Sequence, residues 1–478
     1  MATQNSKQNM PLKSFTRNLR RGLGSAIIEL KNSPEREMYR DAVMKSSIKD
    51  IAYDTQVEGT KGYYLYTAIK TFDNHDEFLN HIAEKFSKRL YWRLSEQLYD
   101  MLCCFSNDGY QAASEAFENK YNELIHRLPA ARGYGNSCCE REQLEKLMIR
   151  KMDSGFELFK QCVNDMGEMI IKHGNDDCLW YDWFLTNAEE RFGKDIYVYI
   201  EGEENENIAA FNRAHKKSKP DESDRLNFKI VTVNDFIQSY RFEQSNSEEE
   251  NVTTIEQLID YAKELSSKAD NTPFRIRPLS RKFAKHAKQE ELKSLAHLAI
   301  DESSDFIKIA LFHVFKFADF PLDIGLLLPY MTSENEDLLE IVVEVLSRIK
   351  DKRIHSFAIR LFNDKQVENA IALLKTNFEI EDEALIRKHV MRSSRVTHSI
   401  IMSITDIYRN YKSSTCGDIL LHLYKNAECS HCRCNIVEIM INNEVIPKNV
   451  LKECLYDSYE ETRELARKAL INENGNAH

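Results

Sequence analysis

The sequence predicts an all-α protein whose C-terminal half is built from repeated helix pairs, and three observations point there. First, the 478 residues include only 15 glycines and 9 prolines. Both fall well below the usual averages of about 7 % and 5 %, which disfavours turn-rich β-folds. Second, a 42 % hydrophobic content with 10 % aromatic residues excludes a mostly disordered chain. Third, apolar residues recur at helical spacing over long stretches.

Residues 1–270 carry helical periodicity without an internal repeat. We predict helices over 35–51, 76–105, 112–128 and 141–171. In the second of these, a single apolar stripe follows three- and four-residue steps, through Phe78, Leu79, Ile82, Phe86, Leu90, Leu94 and Leu98. Two short β-prone runs, 196–200 and 228–233, are either strands or the starts of buried helices. The charge-rich stretches 201–225 and 243–252 are predicted to be exposed loops.

The second half repeats itself. The segment that starts at Asp305 overlays the segment that starts at Asp337 after a shift of 32 positions, with Lys316 matching Arg348. Weaker copies follow at 367–378, 399–410, 432–443 and 460–470. A shorter helix is predicted before each copy, at 292–300, 324–331, 354–362, 383–390, 418–423 and 447–455. A period of this size predicts six helix pairs that stack as a solenoid, because one pair cannot bury its apolar face alone.

The terminal segment 460–470 (EETRELARKAL) and the repeated Asp…Lys/Arg…Asp pattern resemble the HEAT-like repeat superfamily, in particular its short bilin-lyase-type repeats. The resemblance covers roughly residues 285–472. It implies a right-handed α-solenoid of about six helix pairs, with the second helices lining a concave surface. We therefore predict two domains, a helical N-terminal region over 1–270 and a HEAT-like repeat domain over 271–478. Members of the superfamily mostly bind proteins, and a minority, including alkylpurine glycosylases, bind DNA.

Charge and cysteine content indicate the compartment and the partner class. The chain has 65 Lys and Arg against 76 Asp and Glu, a net charge of −11, which argues against a protein that coats nucleic acid with its whole surface. Eleven cysteines without a secretory signal indicate reduced thiols and a cytoplasmic location. The acid-free first 28 residues are interpreted as a basic arm in preference to a mitochondrial transit peptide. No apolar run is long enough to predict a membrane span.

Two basic features are candidate binding sites. The stretch 275–293 carries seven Lys or Arg and two Glu, so it could contact phosphates or an acidic partner, or form a solvated cap on the solenoid. Its candidate residues are Arg275, Arg277, Arg281, Lys282 and Lys285. The turn Arg20-Arg21-Gly22-Leu23-Gly24 precedes a predicted helix and is a candidate anion site, together with Lys61 in the Gly-containing loop 53–62.

Equivalent positions of the repeats place Lys316, Arg348 and Arg409 on one line, with Lys375 as a further member. We interpret this basic ladder mainly as framework, paired with neighbouring aspartates such as Asp319 and Asp351. The alternative interpretation is that the ladder contacts a partner.

The segment Cys429-Ser-His-Cys-Arg-Cys434 has a Cys-x-x-Cys spacing that suits zinc. It lacks a second ligand pair in the sequence, so we assign no metal and no cofactor. No Gly-x-Ser-x-Gly, Walker or His-Glu-x-x-His motif occurs, and we assign no catalytic residue.

The sequence thus predicts a non-enzymatic, cytoplasmic HEAT-repeat scaffold or adaptor that holds a protein partner on its concave surface. The alternative is a nucleic-acid-binding HEAT-like protein of the DNA-glycosylase type that uses the basic stretch 275–293. That alternative would need an acid/base carboxylate, for which Asp406, Glu344 and Glu438 are the candidates.

Overall fold

The computed structural model describes residues 9–127, 136–173, 180–202, 204–218, 254–267, 272–364, 366–392 and 396–475. Within these ranges every regular element is helical, so the predicted all-α class is confirmed. The chain divides into two compact units. Unit 1 contains residues 1–230 and 452–464, and unit 2 contains residues 231–451 and 465–478. The division at residue 270 remains a prediction about family boundaries.

Unit 1 is a set of α-helices of irregular length around one apolar core. Within residues 1–230 a 3₁₀ turn covers Arg36–Tyr39, and the α-helices cover Leu12–Arg21, Gly24–Asn32, Arg40–Ser47, Thr55–Glu58, Gly62–Ile69, Asp76–Phe86, Trp92–Asn107, Gln111–Arg127, Asn136–Met152, Phe156–His173, Trp180–Phe192, Asp195–Gly202 and Glu206–Ser218. The run 196–200 is therefore helical, and 228–233 lies outside the described residues.

Two of the predicted long helices are broken. The helix expected over 76–105 stops at Phe86 and a new one starts at Trp92, although the apolar stripe continues across the break. Leu79 and Leu98 are both buried in the same core, which explains why the periodicity concealed the interruption. The helix expected over 141–171 breaks at Gly155, whose φ of 134° favours glycine.

The prediction of an exposed loop over 201–225 is wrong for most of those residues that the structure describes. Residues Glu206–Ser218 form a helix that packs on the helix Phe156–His173. Its apolar residues Ile208, Phe211 and Ala214 are buried, and their burial outweighs the exposure favoured by the charged residues between them. The second predicted loop, 243–252, lies outside the described residues.

Unit 2 contains the first five repeated pairs and residues 448–451 and 465–475 of the sixth, whose residues 452–464 belong to unit 1. Before them come the helix Ile255–Ser266, the 3₁₀ turn Pro273–Ile276 and the helix Arg277–His286. The first helices of the pairs are Gln289–Asp301, the 3₁₀ turns Ile324–Leu326 and Leu328–Thr332, and the helices Lys352–Asn363, Asp382–Val390, Gly417–Asn426 and Lys448–Cys454. The second helices are Asp305–Phe312 (continued by the 3₁₀ turn His313–Lys316), Glu336–Leu346, Val367–Leu373, His398–Asn410, Ser430–Asn442 and Glu460–Gly475.

The second helices stack in chain order. From Asp305–Phe312 to Ser430–Asn442, each packs on the second helix of the next pair; we call these five helices the second-helix row. Several of them begin at the same kind of cap. The side chains of Ser304, Asn335 and Thr397 each accept a hydrogen bond from the backbone N–H three residues later, which stabilises the helix start. Cys429 occupies the equivalent position of the fifth pair.

Candidate binding groove on the second-helix row

A groove of about 1080 Å³ runs along the second-helix row in unit 2. Its walls come from the helices Glu336–Leu346, Val367–Leu373 and His398–Asn410 with the end of Asp382–Val390. The apolar part of the lining includes Leu339, Val343, Val367 and Met402, and Met402 is 42 % exposed. A groove of this kind, apolar with polar groups at defined points, is a usual binding surface.

The charged part of the lining is mainly acidic. Four glutamates line the groove, Glu336, Glu340, Glu344 and Glu368, against one lysine, Lys375. Glu336 and Glu340 are exposed, and no Lys or Arg of the described residues lies within ion-pair distance of either. The groove therefore presents negative charge next to the exposed Met402 and the half-buried Leu339 and Val367. These two glutamates were not predicted from the sequence.

Three of the four cations of the basic ladder lie beside carboxylates of the second helices. Lys316 lies 2.5 Å from a carboxylate oxygen of Glu344, and Lys375 lies 3.6 Å from Asp406. Arg409 lies 2.7 Å from Asp406 and 3.7 Å from Glu438. Lys316, Lys375 and Arg409 therefore lie beside carboxylates, and the interpretation of the ladder as framework stays a prediction.

The aspartates expected as ladder partners are placed elsewhere. Asp351 caps the helix Lys352–Asn363 and bonds Arg353, which keeps the pKa of Asp351 below its usual range. Asp319 is exposed and is not paired with a ladder cation among the described residues. Arg348 is exposed and donates a hydrogen bond to the backbone carbonyl of Lys316.

Part of the basic stretch lies beside the start of the row. Arg281 lies over the ring of Phe317, 5.1 Å from its centroid. Burial lowers the pKa of His313 to about 4, and the charges of Lys316 and Arg277 make smaller contributions in the same direction. The structure therefore brings two members of the stretch close to one member of the ladder. Arg275, Lys282 and Lys285 are exposed.

The predicted anion turn meets an anion of the same chain. The carboxylate of Glu453 accepts a hydrogen bond from the backbone N–H of Ser25, at the start of the helix Gly24–Asn32, as expected for a helix N-terminus. A Cβ on Gly24 would lie 1.9 Å from the carbonyl oxygen of Glu453. Glycine is needed here for close backbone approach, and all these residues belong to unit 1.

The three basic residues of that candidate site have different environments. Arg20 is exposed and Arg21 is buried. Lys61 is 1 % exposed; its ammonium lies 3.2 Å from Glu58 and donates to the carbonyls of Arg20 and Ile51. These contacts of the Lys61 ammonium are therefore all made with groups of unit 1.

One group of side chains in the described part of the chain has the ligand types and spacing for a metal ion. His398, Cys429 and Cys432 hold their ligand atoms within 4.8 Å of one another. The two cysteines belong to the Cys-x-x-Cys segment recognised in the sequence, whereas His398 comes from the preceding repeat and was not predicted.

None of the described helices combines the length and the apolar character needed to cross a membrane. No protein-family model matches the chain, and no curated protein matches it significantly. Known structures do match. One is described as "Homology model of the full-length AP-3 complex in an intermediate open conformation"; it is 14 % identical, and the alignment covers 97 % of this chain and 93 % of that chain with a TM-score of 0.28. At so low a TM-score the similarity carries no argument about fold or function.

Proposed function

We propose that this chain is a non-enzymatic HEAT-like scaffold that binds a protein partner in the groove of its second-helix row. The observation that supports the proposal is the groove itself, about 1080 Å³ in volume and lined by apolar side chains beside unneutralised glutamates. Stacked helix pairs form extended binding surfaces in repeat proteins generally. The resemblance of the repeats to the HEAT-like superfamily is part of the same proposal.

The charge of the groove specifies the chemistry of the partner. Glu336 and Glu340 lie one helical turn apart on the same helix face, and Val343 continues that face into the apolar lining. A segment with basic residues beside apolar ones would complement this arrangement, because opposite charges steer and orient a partner. The partner segment we propose is therefore a basic, amphipathic part of another protein.

The alternative of nucleic-acid binding lacks most of one of its two supports. Three of the four ladder cations, Lys316, Lys375 and Arg409, are paired with Glu344, Asp406 and Glu438, so a phosphate backbone that contacted them would have to displace these acids. The same three carboxylates were the candidates for acid/base chemistry, and each is accounted for by an ion pair. What supports that alternative is the exposed part of the stretch 275–293 together with the exposed Arg348 of the ladder.

The test uses the purified full chain as bait in a lysate of its native host. We expect the wild type to retain one protein in stoichiometric amount, and the double variant Glu336→Lys/Glu340→Lys to lose it by at least about tenfold, because reversed charges would repel a basic partner. The matched control is Glu379→Lys, a charge reversal at an exposed residue outside the groove.

Two outcomes would contradict the proposal. One is a partner that is retained equally by the wild type, the groove variant and the control. The other is binding to random-sequence DNA that weakens steeply with salt and is lost when Arg275, Arg277, Arg281 and Lys282 are reversed in charge; that result would support the alternative function.

A further inference from the structure

The group of His398, Cys429 and Cys432 lies where two neighbouring helices of the second-helix row begin. His398 is the first residue of the helix His398–Asn410. Cys429 directly precedes the helix Ser430–Asn442, and Cys432 lies in its first turn. Because these two helices pack on each other, equivalent positions of the fourth and fifth pairs are side by side. The group is therefore a product of the repeat stacking.

The distances suit one small thiophilic cation. The three ligand atoms lie within 4.8 Å of one another, with 3.0 Å between Sγ of Cys432 and Nδ1 of His398. In a tetrahedral zinc site, bonds of about 2.3 Å to sulfur and about 2.0 Å to nitrogen place sulfur and nitrogen about 3.5 Å apart and two sulfurs about 3.8 Å apart. Atom shifts of about 1 Å, within reach of side-chain rotation, would satisfy these distances.

Burial and charge also favour a divalent cation. Cys429 is 2 % exposed and Cys432 is 1 % exposed, while His398 is half-buried. Two thiolates neutralise Zn²⁺ in full, and the imidazole adds a neutral ligand, so the buried site would carry no net charge.

We propose that this chain binds one Zn²⁺ ion through Nδ1 of His398 and Sγ of Cys429 and Cys432. Each thiol loses its proton to the solvent when the metal binds. The fourth position is left to a water molecule, as in other zinc sites with three protein ligands. The ion joins the starts of two adjacent second helices, and the proposal does not depend on the protein-binding function.

The first measurement uses the purified full chain, reduced and stripped of metal with a chelator. Zn²⁺ is titrated against a chromophoric chelator, and Co²⁺ serves as a spectroscopic probe of the same site. We expect one equivalent of Zn²⁺ per chain. We also expect the Co²⁺ form to show thiolate charge-transfer absorption and the visible bands of tetrahedral coordination.

Variants identify the ligands. Cys432→Ser and His398→Ala should each weaken Zn²⁺ binding by more than about 100-fold, since changes in outer-shell partners alone cost 10–100-fold. The matched control is Cys434→Ser, a buried cysteine in the same helix and outside the group, which should bind Zn²⁺ like the wild type. Circular dichroism verifies that each variant is folded. Added Zn²⁺ should raise the melting temperature of the wild type and of the control only.

Three results would overturn the proposal. The first is less than stoichiometric Zn²⁺ binding by the reduced wild-type chain. The second is a Co²⁺ spectrum without thiolate charge transfer, or one that folded Cys432→Ser retains unchanged. The third is mass-spectrometric mapping of a Cys429–Cys432 disulfide that forms regardless of added Zn²⁺; it would identify the pair as a redox couple.

Discussion

Replacing Gly167 by alanine tests the closest helix crossing in unit 1. Gly167 lies in the helix Phe156–His173, where it faces the backbone of Asn207 at the start of the helix Glu206–Ser218. A Cβ at this position would lie 1.8 Å from the carbonyl oxygen and 2.3 Å from the carbonyl carbon of Asn207. Contacts below 3.0 Å are essentially never seen, so the two backbones would have to separate by about 1.2 Å.

The Gly167→Ala change has a favourable effect on helix propensity and a larger unfavourable effect on packing. Alanine should return about 1 kcal/mol through its higher helix propensity. Separating the helices also loosens the contacts of Ile208 and Phe211, both buried in this crossing, and we expect overpacking to cost about 3 kcal/mol. The net expectation for Gly167→Ala is a loss of about 2 kcal/mol in the free energy of unfolding of unit 1.

Tryptophan fluorescence during urea unfolding measures this change selectively, because Trp92, Trp180 and Trp183 all lie in unit 1. The control is Gly202→Ala, at the end of a helix with nothing within 4 Å of the added Cβ. That variant should be unchanged or up to about 1 kcal/mol more stable. If Gly167→Ala proves as stable as the wild type, the described close packing of these two helices is wrong.

Three further variants test single interactions. Lys61→Met leaves the carboxylate of Glu58 buried without this cation and should lower the free energy of unfolding of unit 1 by about 3–5 kcal/mol. If tryptophan fluorescence shows that this free energy falls by less than about 1 kcal/mol, the predicted cost of the buried carboxylate is wrong. The pKa of His313 is about 4 when folded against about 6.5 when unfolded, so protons favour the unfolded chain as pH falls through this window. His313→Phe should therefore make the calorimetric melting temperature less dependent on pH between 6.5 and 4; an unchanged dependence would refute this. Asp406→Asn removes half-exposed ion pairs and should change the free energy of unfolding, measured by denaturant titration, by less than about 1 kcal/mol; a larger loss would contradict the assignment of these pairs as weak.

The repeat region was predictable because most of its helices carry their signals in their own sequence. Apolar positions recur at helical spacing, and the cap residues Ser304, Asn335 and Thr397 stand immediately before the helices they start. The second helix expected over 399–410 is observed at His398–Asn410. Agreement this close follows from signals that are local in sequence and need no knowledge of the tertiary structure.

Unit 1 was predicted less well because its helix ends depend on tertiary packing. The apolar stripe through Phe86 and Leu94 continues across the break between two helices, since both bury the same core. Conversely, the helix Glu206–Ser218 is rich in charge, and only its packing on the helix Phe156–His173 shows that Phe211 is a core residue. The hydrophobic periodicity of a single segment indicates neither where such a helix breaks nor that Phe211 is buried.

The two sites of unit 2 have one geometric cause, and it explains why contiguous motifs did not reveal them. Stacking places residues of adjacent pairs side by side, so the partner of a side chain lies about one repeat away in sequence. Lys316 meets Glu344, Lys375 meets Asp406, and Cys432 meets His398. The Cys-x-x-Cys segment lacked further ligands within its own helix because the third is supplied by the preceding one. In a stacked array the unit to search is therefore a pair of neighbouring repeats in register.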